Sequence, residues 1–320
     1  MARNDYSFQL IKAGDIRREF PCRTRYRMED AALRDSVARQ GIVQPLVVAA
    51  GGVLVSGHRR LQAALAADIK EIPALMIQEK LDAETLFIHA VLFNWRQDFS
   101  ELDQAWTIRH ALQELKIKPE VTAREILPAL GLPPEKYFLE EYPRMAALHP
   151  DILEQVAEGK LPFRGCRALV RFSPQDQAEF ARLIGRRTAL SSNQLLQAGE
   201  WLADLLQAAK LSLSELISQK GLETILARPR GDKRQIADQF CRAVAVLRFP
   251  SREERQRKFR SRAAEIEKAL PDVQVEAPPA FEAEGFMLKA RIRRPESLEK
   301  VVENLGRHRT LLNSLFDIML

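Results

Sequence analysis

Cysteine is scarce in this chain. Cys22, Cys166 and Cys241 lie far apart and show no CxxC spacing. A scattered, odd-numbered set builds no disulfide framework and lacks the paired spacing of a structural zinc site. The expectation is three plain thiols in a reducing compartment. Long apolar runs are missing too, and none approaches the ~20 residues needed to cross a bilayer. The first residues, MARNDYSFQLIKAGD, have neither the basic nor the apolar segment of a signal peptide. These absences point to a cytoplasmic protein with no membrane partner. No internal repeat and no low-complexity tract stands out.

What remains is an ordinary globular composition. The 320 residues are 46% hydrophobic and 29% charged, with a formal net charge of +6. Two or three domains are expected at this length. A mild basic excess is compatible with a nucleic-acid partner. The pattern divides into three regions in an α+β chain. Residues 1–90 read as a small mixed α/β domain: a helix over 30–41 ending on glycine, a hairpin over 45–56, a helix over 60–67 and a strand over 72–77. Residues 91–210 read as all-helical, with helix, Gly131 turn and helix across 120–142 in the spacing of a helix-turn-helix. Residues 211–320 read as a smaller α/β domain: helices over 233–248 and 251–269, a half-buried strand over 286–292 and one amphipathic helix over 296–316. Its apolar face suits either an internal core or self-association.

The stretch VSGHRRLQAALAA, from Val55 to Ala67, carries the chemistry. A strand here runs through Gly57 into a helix. Backbone N–H groups point outward at that helix start, where the partial positive charge favours phosphate. Glycine lets a phosphate approach the backbone closely. Arg59 and Arg60 offer planar paired donors to phosphate oxygens, and His58 offers one more hydrogen bond. Solvated arginines, or arginines paired with acidic neighbours, would leave the same trace.

The turn has company. GIVQPLVV (Gly41–Val48) lies upstream and NWRQDFSELDQAWTI (Asn94–Ile108) downstream. Together these resemble the ParB family of partition proteins, which carry GxxQPxxV, GxRRxxAA and ENxxRxDLxxxExA boxes in this order. The resemblance spans residues 5–190 and takes in the helix-turn-helix segment EILPALGLPPEKYFLEEYPRMAALHP. It implies a ParB/sulfiredoxin-like N-terminal domain that binds a nucleotide, CTP with Mg2+. Residue by residue, Gln44 and Pro45 fall beside base and ribose, Gly57, His58, Arg59 and Arg60 at the phosphates, and Asn94 and Arg96 in the third box. It also implies a nucleoid-associated homodimer on DNA, a partition ATPase as partner, and a role in plasmid or chromosome partition or in transcriptional control. Lys136, Arg144, Arg164, Arg167 and Arg171 are the cations placed to meet DNA.

Two departures shape these expectations. Phe93 stands where the family has an acidic residue near Mg2+, and a phenyl ring supplies no oxygen ligand. Binding without hydrolysis, or at most weak CTPase activity, follows, and neither catalytic nor metal-ligating side chains are assigned. The second helix of the helix-turn-helix opposes Lys136 with Glu135, Glu140 and Glu141. Acidic side chains are repelled by the phosphate backbone. Pro128 sits inside the first helix, where it should kink it. Two other readings stay open: a non-catalytic adaptor without DNA binding, and a nucleotide-dependent small-molecule kinase using Asp15, Glu19 or Glu29. Sulfiredoxin chemistry is excluded, because it needs a cysteine at the turn that Ser56 and Gly57 occupy.

Overall fold

The computed structural model describes residues 6–17, 22–27, 30–94, 99–227, 232–277, 285–292 and 294–319. Arg96, Glu19, Glu29 and the breaker segments at Pro229 and Pro278 therefore lie outside the described residues.

A four-stranded sheet organises the N-terminal part, in the order β1-β4-β2-β3. Its strands are β1 (Tyr6–Lys12), β2 (Leu46–Ala49), β3 (Val53–Ser56) and β4 (Glu71–Ile77). β1 and β4 are antiparallel, β4 and β2 parallel, and β2 and β3 form the hairpin. Every residue of β2 is buried, because helices cover both faces. Leu46 and Val48 pack with Val37 of α1 (Ala31–Gln40) and Leu61 of α2 (His58–Ala66). Val47 and Ala49 face the other way, onto Leu86 and Ala90 of α3 (Ala83–Leu92). Asp30 caps α1, its side chain accepting from Leu33 N, and Gly41 closes it at φ 71°.

The helical part is built on one large apolar core that begins at Phe87 and continues to Val244. Packing thus runs past residue 210. α4 (Glu101–Arg109) opens on a capping box of Ser100 and Asp103 and continues as a π turn over His110–Glu114. Two helices joined by a turn occupy the segment read as a helix-turn-helix. Its first helix comprises α5 (Pro119–Val121), a π turn (Thr122–Ile126) and α6 (Leu127–Ala129). Pro128 does not end this helix. The wider π turn precedes it, and Leu127 N bonds to Thr122 O, which re-spaces the carbonyls that proline cannot serve. After the turn at Gly131, α7 (Lys136–Met145) packs on α4 and buries Tyr142, Pro143 and Met145. There follow α8 (Pro150–Ala157), a 3-10 helix (Phe163–Arg171), α9 (Pro174–Phe180) and α10 (Ser192–Ala209), then α11 (Leu213–Gln219), α12 (Glu223–Leu226) and α13 (Lys233–Arg248). The 3-10 helix presses on α10: a Cβ at Gly199 would stand 2.7 Å from the Ala168 Cβ.

A separate small core closes the chain. Phe259 and Ile266 of α14 (Pro250–Ala269), Val273 of β5 (Val273–Glu276), Val301 of α15 (Pro295–Arg307) and Leu315 form it. The strand expected over 286–292 is β6 (Met287–Ala290), but all of it is exposed rather than half-buried. The single final helix expected over 296–316 is instead three pieces, α15, α16 (Arg309–Asn313) and α17 (Phe316–Met319). α15 passes through Gly306 and stops at His308. β1 and α3, which sequence reading missed, complete the fold.

Candidate nucleotide site and nucleic-acid interface

Gly57 begins α2 in the left-handed region at φ 104°. A Cβ there would meet Leu46 Cδ2 at 2.4 Å and the Arg60 guanidinium at 3.3 Å. Both the dihedral and the space require glycine. The turn opens into a cavity of about 240 Å3 lined by Gln44, Gly57, His58, Arg59, Arg60 and Asn94. Residues from the three sequence boxes therefore meet at one place. Pro45 stands behind it: Arg60 Nη1 donates to Pro45 O at 2.8 Å and to Gln44 O at 2.6 Å. Asn94 is held by its own helix, Nδ2 donating to Ala90 O at 2.6 Å.

Arg23, Thr24, Arg25, Asp30 and Leu33 also line the cavity, and sequence reading missed them. The alternating basic run RTRYR at Arg23–Arg27 was the available signal. Asp30 binds Arg59. Arg25 donates to Asp103 at 2.9 Å, and its guanidinium lies 4.3 Å from the Phe99 ring centroid. Tyr26 N donates to the same Asp103 carboxylate at 2.8 Å, and Thr107 Oγ1 donates to Thr24 O at 3.1 Å. Strap 22–27 thereby ties the cavity to α4. Arg25, Asp30 and Arg59 also line an adjoining cavity of about 540 Å3.

The electrostatics favour an anion. Burial, and then the nearby Arg25, lowers the Arg59 pKa, and burial lowers that of Arg60. Burial, helped by Arg23, pushes His58 down to about 4. His58 Nε2 and Arg59 Nε are buried without a hydrogen-bond partner. Unspent buried donors beside a helix start suit phosphate oxygens. The residues present thus fit a nucleotide. They offer little to a protein-ligated Mg2+. Asp30 is taken up by Arg59, and the described residues hold no cluster of three or more His, Cys, Asp or Glu suited to a metal. Phe93 is turned away from the nucleotide cavity. It lines another cavity, with its ring edge-on to Tyr6 at 6.0 Å.

The DNA candidates are all ion-paired. Lys136 pairs with Glu140 at 3.1 Å and Arg144 with Glu141 at 3.3 Å. Arg164 pairs with Glu101, Arg167 with Glu200 at 3.8 Å and Arg171 with Asp204 at 2.8 Å. These last three share the 3-10 helix. Tyr142 is core, stacked edge-on to Phe163 at 5.4 Å, whereas Tyr137 is 38% exposed. For the kinase reading, Asp15 ends a short exposed turn and lines no cavity described above. The cysteines are free, and burial pushes Cys22 and Cys166 up to about 12. Among the described residues, no helix is long and apolar enough to cross a membrane.

Part of the chain is similar to known proteins. The ParB N-terminal domain family matches residues 6–94. The chromosome-partitioning protein Spo0J of Thermus thermophilus is 31% identical over 180 residues, covering 55% of this chain and 62% of that protein. A probable chromosome-partitioning protein ParB of Coxiella burnetii is 30% identical, covering 48% of this chain and 52% of that one. The match thus spans just under two thirds of the first of these relatives and about half of the second. A C-terminally truncated ParB from Caulobacter crescentus, complexed to the centromeric parS site, aligns with a TM-score of 0.37 at 20% identity, over 60% of this chain and 98% of that one. The chain is thus similar to chromosome-partitioning proteins over about half its length, and residues 6–94 match the ParB N-terminal domain family.

Proposed function

We propose that this chain is a nucleotide-responsive DNA-binding protein of chromosome or plasmid partition. The cavity at Gly57 carries the reading. It gathers Gln44, His58, Arg59, Arg60 and Asn94 around two unpartnered buried donors. CTP is the nucleotide that the family resemblance supports. Its phosphates would lie on the Gly57 turn, against His58, Arg59 and Arg60, with Pro45 and Gln44 toward base and ribose. Any Mg2+ would rest mainly on phosphate oxygens, which agrees with binding rather than hydrolysis. Phosphate competes with Asp30 for Arg59 and with Asp103 for Arg25, so occupancy loosens strap 22–27 from α4. That links the cavity to the helix on which α7 rests.

DNA would meet Lys136 and Arg144 on α7, and Arg164, Arg167 and Arg171 on the 3-10 helix. Their pairs are exposed, and such pairs are worth only about 0–1 kcal/mol. Exchange of a carboxylate for a DNA phosphate therefore costs little. The adaptor reading draws on the same pairs, which leave these cations partly neutralised. A homodimer is the expected assembly. Equilibrium binding of labelled CTP, ATP, GTP and UTP, with and without genomic DNA, tests the proposal. Selective CTP binding that changes with DNA supports it. Absence of binding by every nucleotide refutes it and leaves the adaptor.

A further inference from the structure

Among the described residues, β1 is an edge strand, hydrogen-bonded to β4 on one side only. Its register sets Tyr6, Phe8 and Leu10 opposite Ile77, Leu75 and Pro73. Ile77 packs with Leu86 and Ala90 of α3, so these side chains share the face that α3 covers. The helix does not reach out to β1. Tyr6 is 47% exposed, Phe8 62% and Leu10 63%. Soluble proteins otherwise charge, shorten or cover an apolar edge of this kind.

The strip runs into a cavity. Tyr6 lines a space of about 650 Å3 between α3 and the helix that begins at Pro119. Ile88, Leu92, Phe93 and Val121 supply apolar walls, and Glu79, Glu84 and Glu125 supply carboxylates. Arg124 also lines the space and is paired with Glu125 at 2.8 Å, so those two charges offset each other and Glu79 and Glu84 set the sign of the rim. None of the residues assigned above to nucleotide or DNA lies here.

We propose that Tyr6, Phe8, Leu10 and the adjoining cavity form a docking groove for an extended segment of another protein, one that carries bulky apolar side chains between lysines or arginines. The free edge of β1 offers backbone hydrogen bonds to such a strand. The cavity seats an apolar side chain, and the carboxylates meet the cations. An acidic segment would be repelled by the same rim, which fixes the sign of the partner.

Selection of random twelve-residue peptides displayed on phage, against the full chain, tests this. The selected pool should be enriched in lysine or arginine beside phenylalanine, leucine or isoleucine. A synthetic copy of the leading peptide should bind at least tenfold more weakly to Phe8→Ser and to Glu84→Lys. Both substitutions are at exposed positions, and the variants should keep the melting temperature and nucleotide binding of the parent. An unenriched pool, an acidic pool, or peptides that bind Phe8→Ser as well as the parent would overturn the proposal. Loss of self-association in Phe8→Ser without any selected peptide would assign the groove to a second copy instead, and would equally overturn it.

Discussion

Guanidinium groups crowd the cavity at Gly57, and those of Arg25, Arg59 and Arg60 are each held by a neighbour. Arg60 is fixed by the carbonyls of Gln44 and Pro45, so it presents its charge without searching rotamers. Arg60→Ala should abolish CTP binding in an equilibrium titration, and Arg60→Lys should recover little of it, because an ammonium cannot repeat the planar donor set. His58 gives a pH signature. Burial holds it at about 4 in the fold, against an ordinary value of 6.5. Between those values the unfolded chain takes up a proton that the folded chain refuses. Stability is therefore full above about pH 6.5 and is lost as pH falls toward 4, by on the order of 3 kcal/mol for the full shift. Urea titrations at pH 7 and pH 5 should show this loss, and His58→Gln should flatten it. Phe93, which stands where the resembling family has an acidic residue, packs edge-on to Tyr6 and lines a different cavity.

Among elements, the 3-10 helix Phe163–Arg171 carries three of the five cations proposed to meet DNA. Its inner face lies against α10 with no room for side chains at the crossing, where Gly199 meets Ala168 and Gly165 meets Ser192 and Leu195. Gly199→Val should destabilise the chain by about 1–3 kcal/mol, the usual cost of overpacking, read as a lower melting temperature. Its outer face carries Arg164, Arg167 and Arg171, each with an acidic partner. If these cations meet phosphates, Arg167→Ala and Arg171→Ala should each reduce the slope of log affinity against log salt by about 0.9. An unchanged slope would remove this helix from the interface. Helix spans here were legible in the sequence because their signals are local. Ser173 before Pro174 and Ser191 before the α10 run each accept from the backbone three residues on. The π turn before Pro128 was not legible, since it depends on which face of the helix the core takes.

Across the whole molecule, the helical core and the C-terminal core part near Phe249. The large core ends at Val244 and the small one starts at Phe259. A chain of residues 1–249 should keep nucleotide binding, because no residue beyond that point lines the cavity. It should lose self-association if the C-terminal core supplies it, which sedimentation velocity would show. A dimer persisting in the shortened chain would place the contact elsewhere.

The sequence by itself determined the turn at Gly57. Gly57, His58, Arg59 and Arg60 are consecutive, and their conformation follows from glycine's freedom and from the helix start. It also determined the hairpin over β2 and β3 and the order of the three boxes, since those patterns span a few residues each. Only the tertiary structure decided what surrounds the turn. Arg25 and Asp103 are far apart in sequence, and so are Arg171 and Asp204, yet each pair is in contact. Such pairings leave no periodic trace. They depend on how α4, α10 and strap 22–27 pack, and packing is settled by the shape of a shared core. The exposure of β1 was decided in the same way: its alternating apolar residues suit a buried face, and only the reach of α3 left them in solvent.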